Sequence, residues 1–410
     1  MTSDRKFFKL RLDWWPVGQG LFASGIIKFN QGNAISWVYD CGTVSSQTLL
    51  SNAIKNYEGI CQGFDVSCIN LAVLSHFDWD HISGLTKLIA TFRVKILLLP
   101  YLPLWQRLIL AIEQGVTTND PFFEFFVDPV GYLRGLDGEI EEILLVPPSS
   151  PDDAPDDPIE PIVLEEPDDT VERLIKVDYA EPPDEAGDDP VIGSHGSAST
   201  RFLARGGRLQ FLGFWEFVPY NDAEMAGRAD AVFVADARRL AQKLKDEKTD
   251  LDDCLEELKR LYEFKFKNSI QRNLISLFLY SGPIGNNAHL SWHRANNYIN
   301  TNRMYNKFSQ MHTGDGTLKG EYWTRFRNFY HKGRRLEKVG IFQVMHHGAI
   351  GNSEDGMADR LKPIVSIFSS NPATHQRHPD AAVLRDFWPY HPVQVDDEMG
   401  FHYFGHIIRQ

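Results

Sequence analysis

Two histidines and two aspartates fall within six residues in the run Leu74-Ser75-His76-Phe77-Asp78-Trp79-Asp80-His81. They come directly after the apolar stretch 70–74, which reads as a short buried strand. A strand end gives way to a tight turn, where side chains at positions 76, 78, 80 and 81 can converge. Imidazole nitrogens and carboxylate oxygens are the donors that hold borderline and hard divalent ions. The plainer account is a polar loop whose His and Asp side chains only hydrogen-bond one another. Four donors packed so closely behind an apolar strand weigh against it. A divalent ion held there can promote hydrolysis at neutral pH, because it lowers the pKa of bound water to about 7 and neutralises a developing oxyanion.

The elements that must position such a cluster alternate along the N-terminal third. Segments 7–14, 21–29 and 34–39 are strand-like, and 45–56 reads as a helix. The strand 70–74 precedes the cluster, 85–92 reads as a helix, and 94–99 is another buried strand stopped by Pro100. Gly18, Gly20 and Gly32 punctuate these runs as turns. This alternation predicts a layered α/β fold. Further on, 209–218 reads as a strand pair and 231–247 and 251–264 as helices. Segments 273–280, 339–345 and 363–368 read as strands, as does a segment running through Met311 into Gly314-Asp315. No repeat of fixed period is visible. The 410 residues include 43% apolar and 12% aromatic residues, enough for a large core. No run of 18 apolar residues is present, so no membrane span is expected. The first ten residues lack the apolar stretch of a signal peptide. Cys41, Cys61, Cys68 and Cys254 form no CxxC pair, which fits a reduced, cytoplasmic chain and gives no cysteine zinc site.

Charge is unevenly spread. Residues 151–190 hold sixteen Asp or Glu and eight prolines against Arg173 and Lys176; the segment carries −14, leaving +1 on the rest of a chain whose net charge is −13. Its Pro-Asp-Asp-Ala-Pro-Asp-Asp-Pro stretch cannot propagate a helix or a ladder, which predicts a solvated, poorly ordered insertion. It is either an inert spacer or an acidic flap that keeps polyanions from a site. From Arg303 to Lys338 the bias reverses, with nine basic residues against Asp315, Glu321 and Glu337. Tyr322, Trp323, Phe326, Phe329 and Tyr330 are interleaved with them. Such a stretch either tracks a phosphate backbone and stacks bases or is an amphipathic helix with a core-facing aromatic side.

The cluster at 76–81 resembles the HxHxDH signature of the metallo-β-lactamase superfamily, with Asp78 in place of the second His. Further motifs follow in that family's order. Val17-Gly18-Gln19-Gly20 resembles its early VGQG turn, and Trp37-Val38-Tyr39-Asp40-Cys41-Gly42 its strand ending in DCG. Thr313-Gly314-Asp315 resembles its TGD turn, Val344-Met345-His346-His347-Gly348 an HHG strand end, and Arg377-His378-Pro379 its late HP motif. The order and the Asp variant are most similar to the ComEC-type nuclease domain, over roughly 6–100 and 270–404.

The resemblance implies a four-layer αββα sandwich with the metals at the end where loops of both halves meet. The implied division is an N-terminal half over 1–145, an acidic Pro-rich insertion over 146–200, a strand pair plus helical cap over 201–268, and a C-terminal half over 269–410. By the same resemblance one ion is held by His76, Asp78 and a later His. The second is held by Asp80, His81 and His378, with Asp315 bridging. His347 is assigned as a ligand and His346 as the proton donor or oxyanion contact, while Asp80 both ligates and orients the attacking oxygen. Asn273 stands where the family's third-motif His is usual. Asp40 is expected to orient a ligand from behind, and His195, in Gly-Ser-His-Gly-Ser, to lie in a surface loop. The implied cofactors are two divalent ions, Zn or Mn, since Asp78 hardens the first site. The expected activity is a phosphodiesterase or nuclease acting on DNA or RNA. Alternatives are hydrolysis of a small nucleotide, phosphocholine-type ester or lactone, and a partner-bound component of a multi-protein, defence-type system with little activity alone.

Overall fold

The computed structural model describes residues 6–29, 34–120, 122–156, 175–183, 186, 189, 191, 200–223, separate residues between 232 and 260, 276–285, 288–295, 299–300, 306–374 and 378–409. Its first sheet has eleven strands. Strands β1 (Lys6–Trp14), β2 (Gly20–Phe29) and β3 (Ala34–Thr43) form an antiparallel meander. Strands β4 (Cys68–Val73), β5 (Arg93–Pro100), β6 (Ile140–Val146) and β9 (Thr200–Leu203) continue it in parallel, with the two-residue β8 (Tyr179–Ala180) at that edge. On the other side β19 (Phe401–Arg409) pairs with β1 along its length, followed by β13 (Ala288–Ala295) and β14 (Ile299–Asn300).

The second sheet has eight strands, in the order β18-β17-β16-β15-β12-β11-β10-β7. They are β7 (Ile175–Val177), β10 (Leu209–Phe211), β11 (Trp215–Tyr220), β12 (Phe278–Pro283), β15 (Ser309–His312), β16 (Val339–Gln343), β17 (Val365–Ser369) and β18 (Pro392–Val395). Those from β15 to β18 run parallel.

Period-two alternation assigns the faces of each strand. In β5, Ile96 and Leu98 join Trp37, Tyr39, Trp215, Phe217 and Ile341 in a core between the two sheets. Leu97 and Leu99 face outward, onto a second core built with the helices α1 (Gln47–Gly63), α3 (Leu85–Thr91) and α4 (Leu104–Glu113). A third core lies outside the second sheet, where Phe342 and Phe368 meet α7 (Glu321–His331), α9 (Met357–Leu361) and α10 (Ala381–Phe387). Three apolar interfaces thus separate four layers, and the chain is an αββα sandwich. Helix α1 shows why a segment takes its place: Ser46 caps it, its hydroxyl accepting from the Thr48 N–H at 3.2 Å. Leu50, Ala53, Ile54, Tyr57 and Cys61 recur on one buried stripe. The short helices α2 (Trp79–Ile82), α5 (Phe123–Val127), α6 (Pro129–Arg134) and α8 (Arg335–Lys338) fill the connections.

Two expectations differ from the structure. The strand pair placed in a cap is part of the second sheet: β11 pairs with β12 from Trp215↔Pro283 to Tyr220↔Phe278. Of the two helices expected after it, the described residues 232, 235, 236, 239, 240, 243, 253 and 256–260 are helical, and the rest lie outside the described residues. The acidic stretch is not solvated throughout. Ile175–Val177 pairs with β10 in the second sheet, and Asp189 is buried against Arg107 of α4 at 2.8 Å. Residues 157–174 and 192–199, with His195, lie outside the described residues, as do Cys254 and Asn273.

For the basic, aromatic stretch the structure decides between the two accounts. Tyr322, Trp323, Phe326, Phe329 and Tyr330 are all buried on the inner side of α7. Its cations meet the chain itself. Arg325 pairs with Asp222 at 2.6 Å, and the buried Arg335 pairs with the buried Glu216 at 2.8 Å. Lys332 donates to the carbonyls of Asp152 and Ala154, and Arg335 to that of Pro155, so the start of the acidic stretch rests on this helix. The amphipathic-helix account therefore holds and the base-stacking one does not. Among the described residues no helix is long and apolar enough to cross a membrane.

Candidate metal centre

The parallel strands of both sheets end on one side of the sandwich, and the motif residues gather there. The run after β4 turns through Ser75 and His76 into the four-residue helix α2, which carries Asp80 and His81. The loop after β15 delivers Asp315, and the turn after β16 delivers His346 and His347. Glycines let these segments touch. A Cβ at Gly314, whose φ is +49°, would lie 2.2 Å from Ser276 Oγ and 2.8 Å from Ser75 Oγ; one at Gly42 would lie 2.4 Å from the His81 backbone. His346 and His347 both hold positive φ, 43° and 55°, in the left-handed region that β-carbon-bearing residues avoid. The His346 N–H donates to the Gly314 carbonyl at 3.0 Å, fixing the two loops together.

Two sets of donor atoms stand within 4.8 Å of one another and share one carboxylate: Asp80, His81, Asp315 and His347 in the first, His76, Asp78 and Asp315 in the second. Asp315 lies 3.2 Å from His81 Nε2 through one oxygen and 3.8 Å from His76 Nε2 through the other. His347 Nε2 is 3.1 Å from Asp80 and 3.6 Å from Asp315. His347, and not His378, thus completes the set with Asp80 and His81. His378 lies beside the sets, its ring 5.6 Å from that of His346 and 6.4 Å from that of His347. His346 Nε2 stands 3.4 Å from the outer oxygen of Asp315.

Each imidazole is oriented from behind. Asp40 accepts from His81 Nδ1 at 2.7 Å, from the Ser75 N–H at 2.7 Å and from the Ser75 hydroxyl at 2.6 Å. The Ser75 oxygen in turn accepts from His76 Nδ1 at 2.8 Å. His347 Nδ1 donates to the Ser369 carbonyl. A ring whose Nδ1 holds the proton presents the lone pair of Nε2, the arrangement that backs metal-binding histidines. Residues the sequence reading did not single out complete the frame. Gln114 donates to Asp78 at 2.9 Å. Asn352 accepts from His346 Nδ1 at 3.1 Å and donates to the Asp315 carbonyl at 2.9 Å. Ser276 Oγ accepts from the Asp315 N–H at 3.1 Å. Sequence gives no sign of these three, because each is defined by what it meets across the fold.

The electrostatics match the donor set. Burial, with the neighbouring His81, pushes His76 down to about 4, so its ring is neutral at pH 7. Burial, with Asp80 and Asp315 close by, pushes Asp78 up to about 7. Burial disfavours a charged Asp80 too, yet His81 and His347 outweigh it and hold the carboxyl near 2. His76 Nε2, His81 Nε2 and Asp315 Oδ1 are buried and have no hydrogen-bond partner among the described residues. Buried lone pairs that face one another without a donor are costly, and a cation between them would satisfy all three. The residues present therefore fit divalent metal.

No family model matches the sequence. No curated protein matches it either. Among solved structures, the chain is similar to a long form RNase Z from yeast, with 11% identity and a TM-score of 0.32, over 95% of this chain and 41% of that one. The chain thus spans about two fifths of that protein's length. The likeness is too slight to carry an activity across.

Proposed function

We propose that the protein is a metallo-β-lactamase-type hydrolase that cleaves phosphodiesters of nucleic acid or nucleotides with two divalent ions, Zn or Mn. The observation that carries this reading is the pair of ligand-spaced sets sharing Asp315, three carboxylates and four histidines at one end of an αββα sandwich once His346 is included. The motif order along the chain, and the departure at Asp78, support the nuclease-type branch of that superfamily. Divalent ions bound there supply Lewis acidity to a phosphoryl oxygen and lower the pKa of water toward 7.

The chain's own residues divide the remaining tasks. His76, Asp78 and Asp315 hold one ion; Asp80, His81, His347 and Asp315 hold the other. Asp80, part-exposed in the set with His81 and His347, is the carboxylate that orients the attacking water. His346 Nε2, 3.4 Å from Asp315, is placed to give a proton to the leaving alkoxide, which is too basic to depart unaided. Asn352 keeps that ring turned by accepting from Nδ1. His378 borders His346, their rings 5.6 Å apart. The test is to load purified protein with Mn²⁺ or Zn²⁺ and offer single-stranded DNA, duplex DNA, RNA and chromogenic phosphodiesters. Hydrolysis that disappears with chelator and returns with metal is the expected result. Metal uptake with no ester turned over would instead favour a partner-dependent component.

A further inference from the structure

Resting on the phosphodiesterase reading above, we propose that the exposed indole of Trp79, braced edge-on by Phe122, is a platform that stacks the unpaired base beside the scissile phosphate, so that the substrate is a single-stranded end or nucleotide diester and not a duplex. Trp79 sits in the chain between Asp78 and Asp80, one carboxylate from each metal set. Its indole is 47% exposed, an unusual state for the largest side chain in an otherwise buried motif. It meets the half-buried Phe122 edge-on at 5.3 Å, and Phe122 stacks on Phe125 at 5.0 Å with 12° between the planes. Phe125 packs on Phe77 of the same motif at 4.9 Å, so the platform is braced against the run that carries the ligands. An aromatic face that is rigid, exposed and a residue away from the metal donors can take a base of any identity.

The rim argues the same way by its charge. Loops following β3, β4, β15, β16, β17 and β18 surround the cluster. Among their described residues Lys319 is the one Lys or Arg, against Glu354, Asp355, Asp380, Asp396, Asp397 and Glu398. Duplexes and long single strands alike are held through cations set along their phosphates, and this rim offers few, which favours a short end or a nucleotide diester. These loops carry exposed apolar side chains as well as Trp79: Val44 after β3, Ile350 after β16 and Met399 after β18. Binding therefore draws on one metal-held phosphate and on base stacking.

The full-length, metal-loaded chain and its Trp79→Ala and Trp79→Phe variants would be compared on two esters, thymidine 5′-(4-nitrophenyl phosphate) and methyl 4-nitrophenyl phosphate. Their affinity for labelled oligothymidylate, for the same oligomer with abasic positions and for a duplex would be measured alongside, with metal content. Trp79→Ala should lose about tenfold more kcat/KM on the nucleoside ester than on the methyl ester, through KM, and Trp79→Phe should recover most of it. The wild type should bind oligothymidylate about tenfold tighter than the abasic oligomer, and the difference should vanish in Trp79→Ala. Equal losses on both esters, no preference for intact bases, or tighter binding of the duplex would overturn the proposal. If the wild type turned over neither ester yet bound oligothymidylate through Trp79, the hydrolase reading would fail and the platform would stand.

Discussion

The end of the sandwich that carries the metal donors and the helix α7 with its flanking cations are built from similar residue types and end in opposite conditions. At the first, charged and polar atoms are buried and left facing one another: His76 Nε2, His81 Nε2 and Asp315 Oδ1 have no hydrogen-bond partner among the described residues. At the second, cations that looked available are already matched. Arg335 meets Glu216, Arg325 meets Asp222, and Lys332 meets carbonyls of the chain itself. Both regions are rich in aromatic and charged side chains, so composition does not separate them. What separates them is whether the fold supplies the partners. Buried groups left waiting for a partner point to a ligand, and groups already paired point to stability.

That contrast breaks if substitutions in the two regions have the same kind of effect. The largest effect is expected at the metal cluster. Asp80→Ala should lower kcat/KM on a phosphodiester by on the order of a thousandfold while the far-UV circular dichroism of the fold is kept; full activity in that variant would refute the assignment. Next comes Arg335→Ala, which takes from the buried Glu216 one of its two arginine partners and leaves it Arg208 at 3.1 Å. The substitution should cost about 1.5–3 kcal/mol of stability, read as a fall in denaturant midpoint. A variant that melts like the wild type but loses nucleic-acid affinity would reverse the roles given to the two regions.

The frame behind the ligands sharpens the comparison further. Asp40→Asn keeps the size of a residue that accepts from His81 Nδ1, but it weakens the acceptor that sets the ring's proton. Metal affinity should fall roughly 10- to 100-fold, measured by competition with a chromogenic chelator. The smallest effect is expected at Arg327, exposed on α7. Replacing a phosphate contact would change the slope of log K against log salt by about 0.9 for duplex DNA. Arg327→Ala should leave that slope in place, since its helix serves the core.

How much of this was legible in the sequence differs between the same two regions. The local cluster at 76–81 shows in spacing alone, because four donors lie within six residues behind an apolar strand. That Asp315 and His347 meet it across the sandwich does not show in spacing. It came from the order of motifs, since pairing between distant loops leaves no local period. The division of ligands shifted for the same reason: His347 rather than His378 stands with Asp80 and His81. Gln114, Asn352 and Ser276 were invisible, as ordinary polar residues in ordinary runs. In α7 the aromatic spacing was readable as a helix face, but Arg325 and Arg335 find their partners over a hundred residues earlier. The segment 209–218 read rightly as strands and wrongly as a cap, because only its pairing with β12 puts it inside the second sheet.

The central claim is that one shared carboxylate joins two cation sites. The most direct measurement is the number of Mn²⁺ or Zn²⁺ ions bound per chain at equilibrium, by metal analysis after dialysis, in the wild type and in Asp315→Ala. Two ions in the wild type, with loss of at least one in the variant and a rise in the wild-type melting temperature on loading, is the predicted result. A wild type that binds no ion, or an Asp315→Ala protein that still binds two with undiminished affinity, would contradict it.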